Sequence, residues 1–170
     1  MFLPKRRVII SQIALQKISN CIFETGNQYE VGGVLLGHRQ LRTYFLTDAT
    51  IPDNQRQKSN HSFELDGARE MHKINELYRA HPSKPMVIGV WHSHVGGVET
   101  FSQQDQISNK RFASVAGGII SAIAIPASSK QLKKLIFYYV SPQGKESLCV
   151  SEIGNSNRCA HYFVQKQPES

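Results

Sequence analysis

Short apolar segments, separated by polar or amphipathic stretches, recur in this 170-residue chain and limit what it can fold into. The longest, residues 117–127, is broken by Ser121 and Pro126 and is far shorter than the roughly 20 apolar residues of a membrane helix. We therefore interpret residues 118–125 and 135–140 as buried strands. With 40% hydrophobic and 19% charged residues the chain can bury a core, which argues against global disorder.

Three amphipathic helices are predicted between the strands, because apolar residues recur there at helical spacing. They cover residues 12–24 behind an N-cap at Ser11, a segment from Asp66 to the proline-rich stop that begins at His81, and residues 102–114. The inner face of the second helix is expected to comprise Met71, Ile74 and Leu77 or Tyr78.

The remaining strands are predicted at residues 8–10, 29–37, 41–51, 86–91 and 146–153. No repeat, low-complexity tract or linker interrupts this series, so we predict one mixed α/β domain over residues 1–170 with its core at 8–153. The last fifteen residues are polar and are expected to form a tail or a docked segment.

The charge and the cysteines limit the class of protein. A net charge of +7 arises from scattered basic residues without interleaved aromatics, which favours a solvated basic surface or an acidic partner over nucleic acid. Three cysteines without paired spacing, Cys21, Cys149 and Cys159, argue against a disulfide framework and against a cysteine zinc site. The N-terminus lacks the apolar core of a signal peptide, so we expect a cytoplasmic protein with no membrane partner.

A candidate metal-binding pattern begins with two histidines two residues apart, His92 and His94. Residues i and i+2 of an extended segment project from one face, so two imidazoles can converge on one ion. Ser102 follows His94, and Asp105 lies one helical turn beyond Ser102. Capping of a helix by Ser102 and Asp105 would explain these two residues but not their register with the histidines. Two histidines and one aspartate are three ligands, which leave a fourth zinc position for water.

This spacing resembles the motif of the JAMM (MPN-plus) zinc metalloproteases, and the order of elements resembles that family over residues 8–153. The resemblance implies a single MPN domain, similar to cytidine deaminases, with a central mixed β-sheet flanked by helices. It implies one zinc ion per chain, held by His92, His94 and Asp105. It also implies that Glu30 is the general base and that Ser102 donates a hydrogen bond to the oxyanion.

The assignment of Glu30 depends on its context. Residues 30–37 resemble the family's early strand, whereas Glu24, Glu64 and Glu70 lie in segments that do not. The two glycines that follow, Gly32 and Gly33, are explained equally well by close packing or by the approach of an extended substrate tail. Trp91 is expected in the core rather than in catalysis.

One departure from the family lies after the second histidine, where many relatives carry proline and this chain has Val95, Gly96 and Gly97. The ligand set is intact, so the difference concerns the stiffness of the loop and its fit to substrate. We expect this rim of the site to be mobile until substrate arrives.

The family reaction is hydrolysis of a peptide or isopeptide bond after the C-terminal tail of a ubiquitin-like protein. The compact chain resembles bacterial stand-alone members, above all the peptidases of antiphage operons of the CBASS type, whose substrate is a conjugated nucleotidyltransferase. Peptidases that trim sulfur carriers and RadC-like proteins remain alternatives. The expected partner is a protein with a flexible C-terminal tail, gripped by the polar loop 52–60 through Arg56 and Lys58 unless that loop is merely solvated. The oligomeric state stays open.

Overall fold

The computed structural model describes residues 4–25, 28–53 and 67–154, and all structural statements below refer to these residues. Eight strands and three helices lie within them, so the predicted mixed α/β fold is confirmed. In chain order they are β1 (Arg7–Ser11), α1 (Gln12–Thr25), β2 (Gly32–Gln40), β3 (Thr43–Ala49), α2 (Gly67–Ala80), β4 (Met86–Ser93), α3 (Gln103–Ala116), β5 (Ile119–Pro126), β6 (Leu132–Val140), β7 (Glu146–Leu148) and β8 (Val150–Gly154).

All eight strands form one mixed sheet in the order β7-β6-β5-β4-β2-β3-β1-β8. Three neighbouring pairs are parallel, namely β1 with β3, β1 with β8 and β4 with β5, and the others are antiparallel. The two ends of the sheet are consecutive in the chain, and the main-chain N–H groups of Cys149 and Val150 donate to Phe137 and Arg6 respectively. The sheet therefore curls until its two ends meet at Cys149.

Helix α1 packs against this curled sheet and supplies much of the core. Its buried residues Ala14, Ile18, Cys21 and Ile22 recur at helical spacing, and the Ser11 hydroxyl accepts a hydrogen bond from the Ala14 N–H as an N-cap should. The predicted helix and its cap are thus confirmed. Its predicted end at Gly26 and Asn27 lies outside the described residues.

Trp91 on β4 lies in the main core cluster and is fully buried. Its indole Nε1–H donates to the carbonyl of Thr50 at 2.9 Å. A buried indole needs such an acceptor, since an unpaired N–H in an apolar core would be destabilising. The expectation of a core role for Trp91 is confirmed.

The inward face of α2 agrees with the prediction at Ile74 and Leu77, which are half-buried, and differs from it at Met71. Met71 and Tyr78 are exposed, whereas Glu70 is buried and Leu77 half-buried. The Glu70 carboxylate accepts a 2.6 Å hydrogen bond from the Thr50 hydroxyl, so a paired polar side chain lies on the inward face beside Ile74 and Leu77. The assignment of Met71 to the inner face was wrong, and of the two alternatives Leu77 and Tyr78, Leu77 is the one that is half-buried.

Other boundaries shift slightly. The segment predicted as one strand over 146–153 is two strands, because Cys149 turns the chain from one end of the sheet order to the other. Helix α2 ends at Ala80, as the stop at His81 predicts. The Asp66 cap, loop residues 54–60 and the tail beyond 154 lie outside the described residues. Where the structure describes the chain, no helix has the length and apolar character needed to span a membrane.

Candidate metal centre

The two histidines of the motif lie where the central strand β4 ends. His92 occupies the strand and His94 follows it directly, and each is 6% exposed. Between them, the Ser93 hydroxyl accepts from the Val31 N–H at 3.0 Å, and the Ser93 N–H donates to the Val31 carbonyl at 2.7 Å. Because side chains alternate along an extended segment, this tie holds Ser93 on one face and directs both imidazoles to the other.

The third residue comes from the first turn of α3. Ser102 is the N-cap of this helix in an extended conformation, and it forms a complete capping box with Asp105. The capping interpretation of the pair is therefore correct. It does not exclude metal binding, because the same carboxylate also faces the histidines.

His92, His94 and Asp105 form a group whose ligand atoms all lie within 4.8 Å of one another. The Nε2 atoms of His92 and His94 are 2.8 Å apart. Asp105 Oδ1 lies 3.3 Å from the Nε2 of His92, and Oδ2 lies 3.5 Å from the Nε2 of His94. Two imidazole nitrogens and one carboxylate converging on a common point suit a divalent cation such as zinc, so the group could hold a metal ion.

The charges of the group suit that role. Burial alone would raise the pKa of Asp105. Hydrogen bonds with His92, His94 and the Ser102 hydroxyl, together with the charge of His92, hold that pKa well below its usual range. For His94, burial alone would lower the pKa. Hydrogen bonds with Asp105 and with the Val98 carbonyl outweigh the effect of burial, so the pKa of His94 is raised. Asp105 is thus an ionised carboxylate facing imidazole nitrogens.

The orientation of His94 follows from its other nitrogen. Nδ1 lies 2.7 Å from the Val98 carbonyl oxygen. A carbonyl oxygen can only accept, so Nδ1 carries the proton and Nε2 is directed to Asp105. Hydrogen bonding of the distal nitrogen in this way is the usual means of orienting a metal-binding histidine.

Strand pairing brings Glu30 to the same place. Gly32 pairs with His92, and the two Val31–Ser93 hydrogen bonds continue that antiparallel register toward Glu30 and His94. Residues opposite one another in an antiparallel pair share a face. Glu30 is half-buried, and its charge contributes to the raised pKa of His94. Its role as general base stays a prediction.

Two comparisons with known proteins bear on this arrangement. A model of prokaryotic homologues of the JAB domain matches residues 22–138, which is more than half of the chain. The chain belongs to this family. The family is the prokaryotic branch of the JAB/MPN domain, so the resemblance read from the motif is confirmed at family level.

Among solved structures, the JAB domain described here is similar to the solution structure of a protein from Desulfitobacterium hafniense. The TM-score is 0.66 at 14% identity, over 87% of this chain and 93% of that one. At that identity the likeness speaks for the fold alone, and the predicted MPN-type sheet flanked by helices is confirmed. No curated protein matches the chain.

The two glycines of β2 have a packing role in this JAB domain. A Cβ on Gly32 would lie 2.2 Å from the Trp91 carbonyl oxygen, and one on Gly33 would lie 2.2 Å from that of Thr50. Both contacts are with main chain, which cannot move aside. The structure therefore supports close packing between strands as the reason for Gly32 and Gly33.

The remaining histidines and glutamates have other surroundings. His81 lies 2.7 Å from the buried Asp48 carboxylate, and His72 pairs with Glu76 on the surface of α2. Glu24 is exposed on α1. His61, Glu64 and His161 lie outside the described residues.

Sequence reasoning missed Phe101, which lies beside His92, and the side chains of β6 that contact the loop before it. Phe101 is 7% exposed, and its ring centroid lies 6.0 Å from that of His92 and 5.1 Å from that of Tyr138. Tyr138 and Lys134 reach the loop before Phe101 from β6. No local signal could have found them, because β6 meets this loop only in the folded sheet.

Proposed function

We propose that this JAB-domain protein is a zinc-dependent peptidase or isopeptidase that cleaves after the flexible C-terminal tail of a ubiquitin-like or similarly conjugated protein. The observation that carries the proposal is the convergence of His92, His94 and Asp105 with their donor atoms within 4.8 Å. The Val31–Ser93 hydrogen bonds, which extend the register of β2 and β4 toward Glu30 and His94, support it.

The three ligands would hold one zinc ion per chain. A bound zinc ion would lower the pKa of a water molecule toward neutrality and polarise a carbonyl group. Glu30 takes a proton from the attacking water and delivers it to the leaving amine. The carbonyl carbon gains hydroxyl, the C–N bond breaks and the nitrogen gains the proton, so the reaction is a hydrolysis.

The proposed role of Ser102, donation to the oxyanion, requires a change in its hydrogen bonding. Its hydroxyl proton is directed to Asp105 Oδ2 at 2.7 Å. Donation to the oxyanion of the tetrahedral intermediate therefore requires the hydroxyl to rotate away from Asp105. The main-chain N–H of Ser102, which also donates to Oδ2 at 2.8 Å, can keep the carboxylate oriented meanwhile.

The substrate we favour is a nucleotidyltransferase conjugated through its C-terminus in antiphage defence of the CBASS type, as the likeness to stand-alone bacterial members suggests. The alternative is a sulfur carrier or another bacterial ubiquitin-like protein. An extended tail would enter between Glu30 and the loop that follows His94 and bind largely through main-chain hydrogen bonds. We place the protein in the cytoplasm, where the buried free thiols of Cys21 and Cys149 would stay reduced.

A panel of fusions tests the substrate. The genomically adjacent nucleotidyltransferase, a sulfur carrier and ubiquitin, each fused at its C-terminus to a reporter, are incubated with wild type, His92→Ala and the surface control His72→Ala. We expect zinc-dependent cleavage of the first fusion by wild type and by His72→Ala only. Cleavage of the sulfur-carrier fusion alone would contradict the proposed substrate and still support the peptidase activity.

If no fusion is cleaved and the protein binds DNA tightly with steep salt dependence, a RadC-like role replaces the proposal. The net charge of +7 is the feature that such binding would use.

A further inference from the structure

Residues 95–101 connect the ligand His94 to the helix that carries Asp105, and we call them the site loop. Its second and third residues, Gly96 and Gly97, have left-handed φ angles of 102° and 78°. A Cβ on Gly96 would meet nothing within 4 Å, and one on Gly97 would touch only Ile125 at 4.0 Å. The space beside both glycines is thus open, and the Gly97 N–H donates to the His94 carbonyl at 3.3 Å across this turn.

The second half is fastened to strand β6. The Tyr138 hydroxyl donates to the Glu99 carbonyl oxygen at 2.8 Å, and Lys134 Nζ forms a 2.7 Å ion pair with the Glu99 carboxylate. Lys134 and Tyr138 are four residues apart, so they project from the same face of the strand. The Tyr138 ring also packs edge-on against Phe101 at 5.1 Å between centroids.

This attachment reaches the metal ligands in two ways. Val98, directly before Glu99, supplies the carbonyl that accepts from Nδ1 of His94 at 2.7 Å. Phe101 packs near the His92 ring, with 6.0 Å between centroids. Val98 itself is 57% exposed, so packing of its side chain cannot hold that carbonyl in place. The next residue, Glu99, is the one bonded to β6.

We propose that Tyr138 is a positioning residue for the metal centre. By holding the Glu99 carbonyl, it keeps the Val98 carbonyl on Nδ1 of His94, and Nε2 therefore stays directed at Asp105. Lys134 adds little, because both partners of its ion pair are about half exposed and water screens the attraction. The inference rests on the proposed function only in requiring that His92, His94 and Asp105 bind a metal ion.

The test is the zinc affinity of Tyr138→Phe, measured in competition with a chromogenic chelator. This substitution removes one hydroxyl and keeps the ring against Phe101. Substituting a residue that directly orients a metal-binding histidine typically weakens metal affinity 10- to 100-fold. Tyr138 acts on His94 only through the loop main chain, so we expect about 10-fold weaker zinc binding. Tyr139→Phe is the matched control, since Tyr139 is the next residue of β6 and stacks under the Arg6 guanidinium instead.

A second variant and a second readout separate positioning from folding. Lys134→Gln should bind zinc within about twofold of wild type, because its ion pair is exposed. The metal-free Tyr138→Phe and Tyr139→Phe proteins should unfold at similar temperatures, and only the former should show an altered visible spectrum when loaded with cobalt. Equal zinc affinity of the two tyrosine variants would overturn the positioning role and leave the proposed function standing. A wild-type protein that binds no zinc would overturn both.

Discussion

Ser102 and Asp105 exchange hydrogen bonds across the first turn of α3. The Ser102 hydroxyl and N–H both donate to Asp105 Oδ2, at 2.7 and 2.8 Å, and the Asp105 N–H donates back to the Ser102 Oγ at 3.1 Å. Oδ1 takes no part in these bonds and faces His92 at 3.3 Å. One pair of residues thus caps a helix and aims a carboxylate oxygen at the histidines.

Ser102→Ala should weaken both functions of this pair. Loss of an N-cap side chain typically lowers the free energy of unfolding by about 1 kcal/mol, and loss of one bond to Oδ2 should weaken zinc binding about 10-fold. Chemical denaturation and chelator competition measure the two effects. Ser114→Ala is the control, since this hydroxyl only donates to the Arg111 carbonyl near the helix end. Turnover equal to wild type at saturating zinc would contradict the predicted donation to the oxyanion.

Replacing His92, His94 and Asp105 together by alanine should abolish metal binding. Wild type should carry one zinc per chain and the triple variant none, because the variant lacks all three donors of the group. Elemental analysis of the purified proteins measures this. His72→Ala, on an exposed part of α2, should keep its zinc. A full equivalent in the triple variant would show that the metal lies elsewhere.

Glu30→Gln should keep the fold and the zinc and lose most turnover. Glu30 is not counted among the three ligands, and a general base is typically worth about 10²- to 10⁴-fold in rate. Circular dichroism, elemental analysis and cleavage assays report the three properties separately. Glu24→Gln, on the exposed face of α1, should be fully active. If Glu24→Gln lost turnover and Glu30→Gln kept it, the assignment of Glu30 as general base would be wrong.

Gly32→Ala should disturb the metal centre through the main chain. The added Cβ would lie 2.2 Å from the Trp91 carbonyl oxygen and 2.8 Å from the His92 Cβ, which forces β2 and β4 apart beside a ligand. Overpacking of this kind costs about 1–3 kcal/mol, and zinc affinity should fall as well. Val34→Ala, a buried position further along β2, should lose similar stability and keep its zinc affinity. Wild-type stability of Gly32→Ala would contradict the close packing.

Two cysteines should be unreactive in the native protein at pH 8. Burial, with the nearby Glu24, raises the pKa of Cys21 to about 12, and burial raises that of Cys149 to about 11. Both thiols are therefore protonated in the folded protein at pH 8. Because their pKa is higher in the folded than in the unfolded chain, the free energy of unfolding should fall only as the pH rises above 9, the ordinary pKa of a thiol. Mass spectrometry after iodoacetamide treatment should find them unmodified natively and alkylated in urea. Equal rates in both conditions would refute their burial.

Local patterns in the sequence determined the elements and both halves of the motif. Helix α1 and strands β4 and β5 follow from hydrophobic periodicity, which depends only on neighbouring residues. The pairing of His92 with His94 needs only the two-residue repeat of a strand. The pairing of Ser102 with Asp105 needs only one helical turn. Each can be recognised without knowing any distant contact.

The rotation of α2 shows where local patterns fail. Apolar spacing placed Met71 inward, but this side chain is 54% exposed, and the preceding Glu70 is buried instead with its carboxylate bonded to Thr50. The contact spans 20 residues and joins two polar side chains that no hydrophobic pattern marks.

Tertiary structure alone decided how the metal centre is assembled. The end of β4 and the start of α3 face one another across the site loop, which the Tyr138 hydroxyl contacts from β6. The register of β2 against β4 runs toward Glu30 and His94. Buried side chains and the absence of a Cβ at Gly32 together determine that register. The sequence could name the ligands because their spacing is local. The distances between their donor atoms and the approach of β2 to the site follow only from the fold, because contacts between β4, α3 and β2 are not encoded in local patterns.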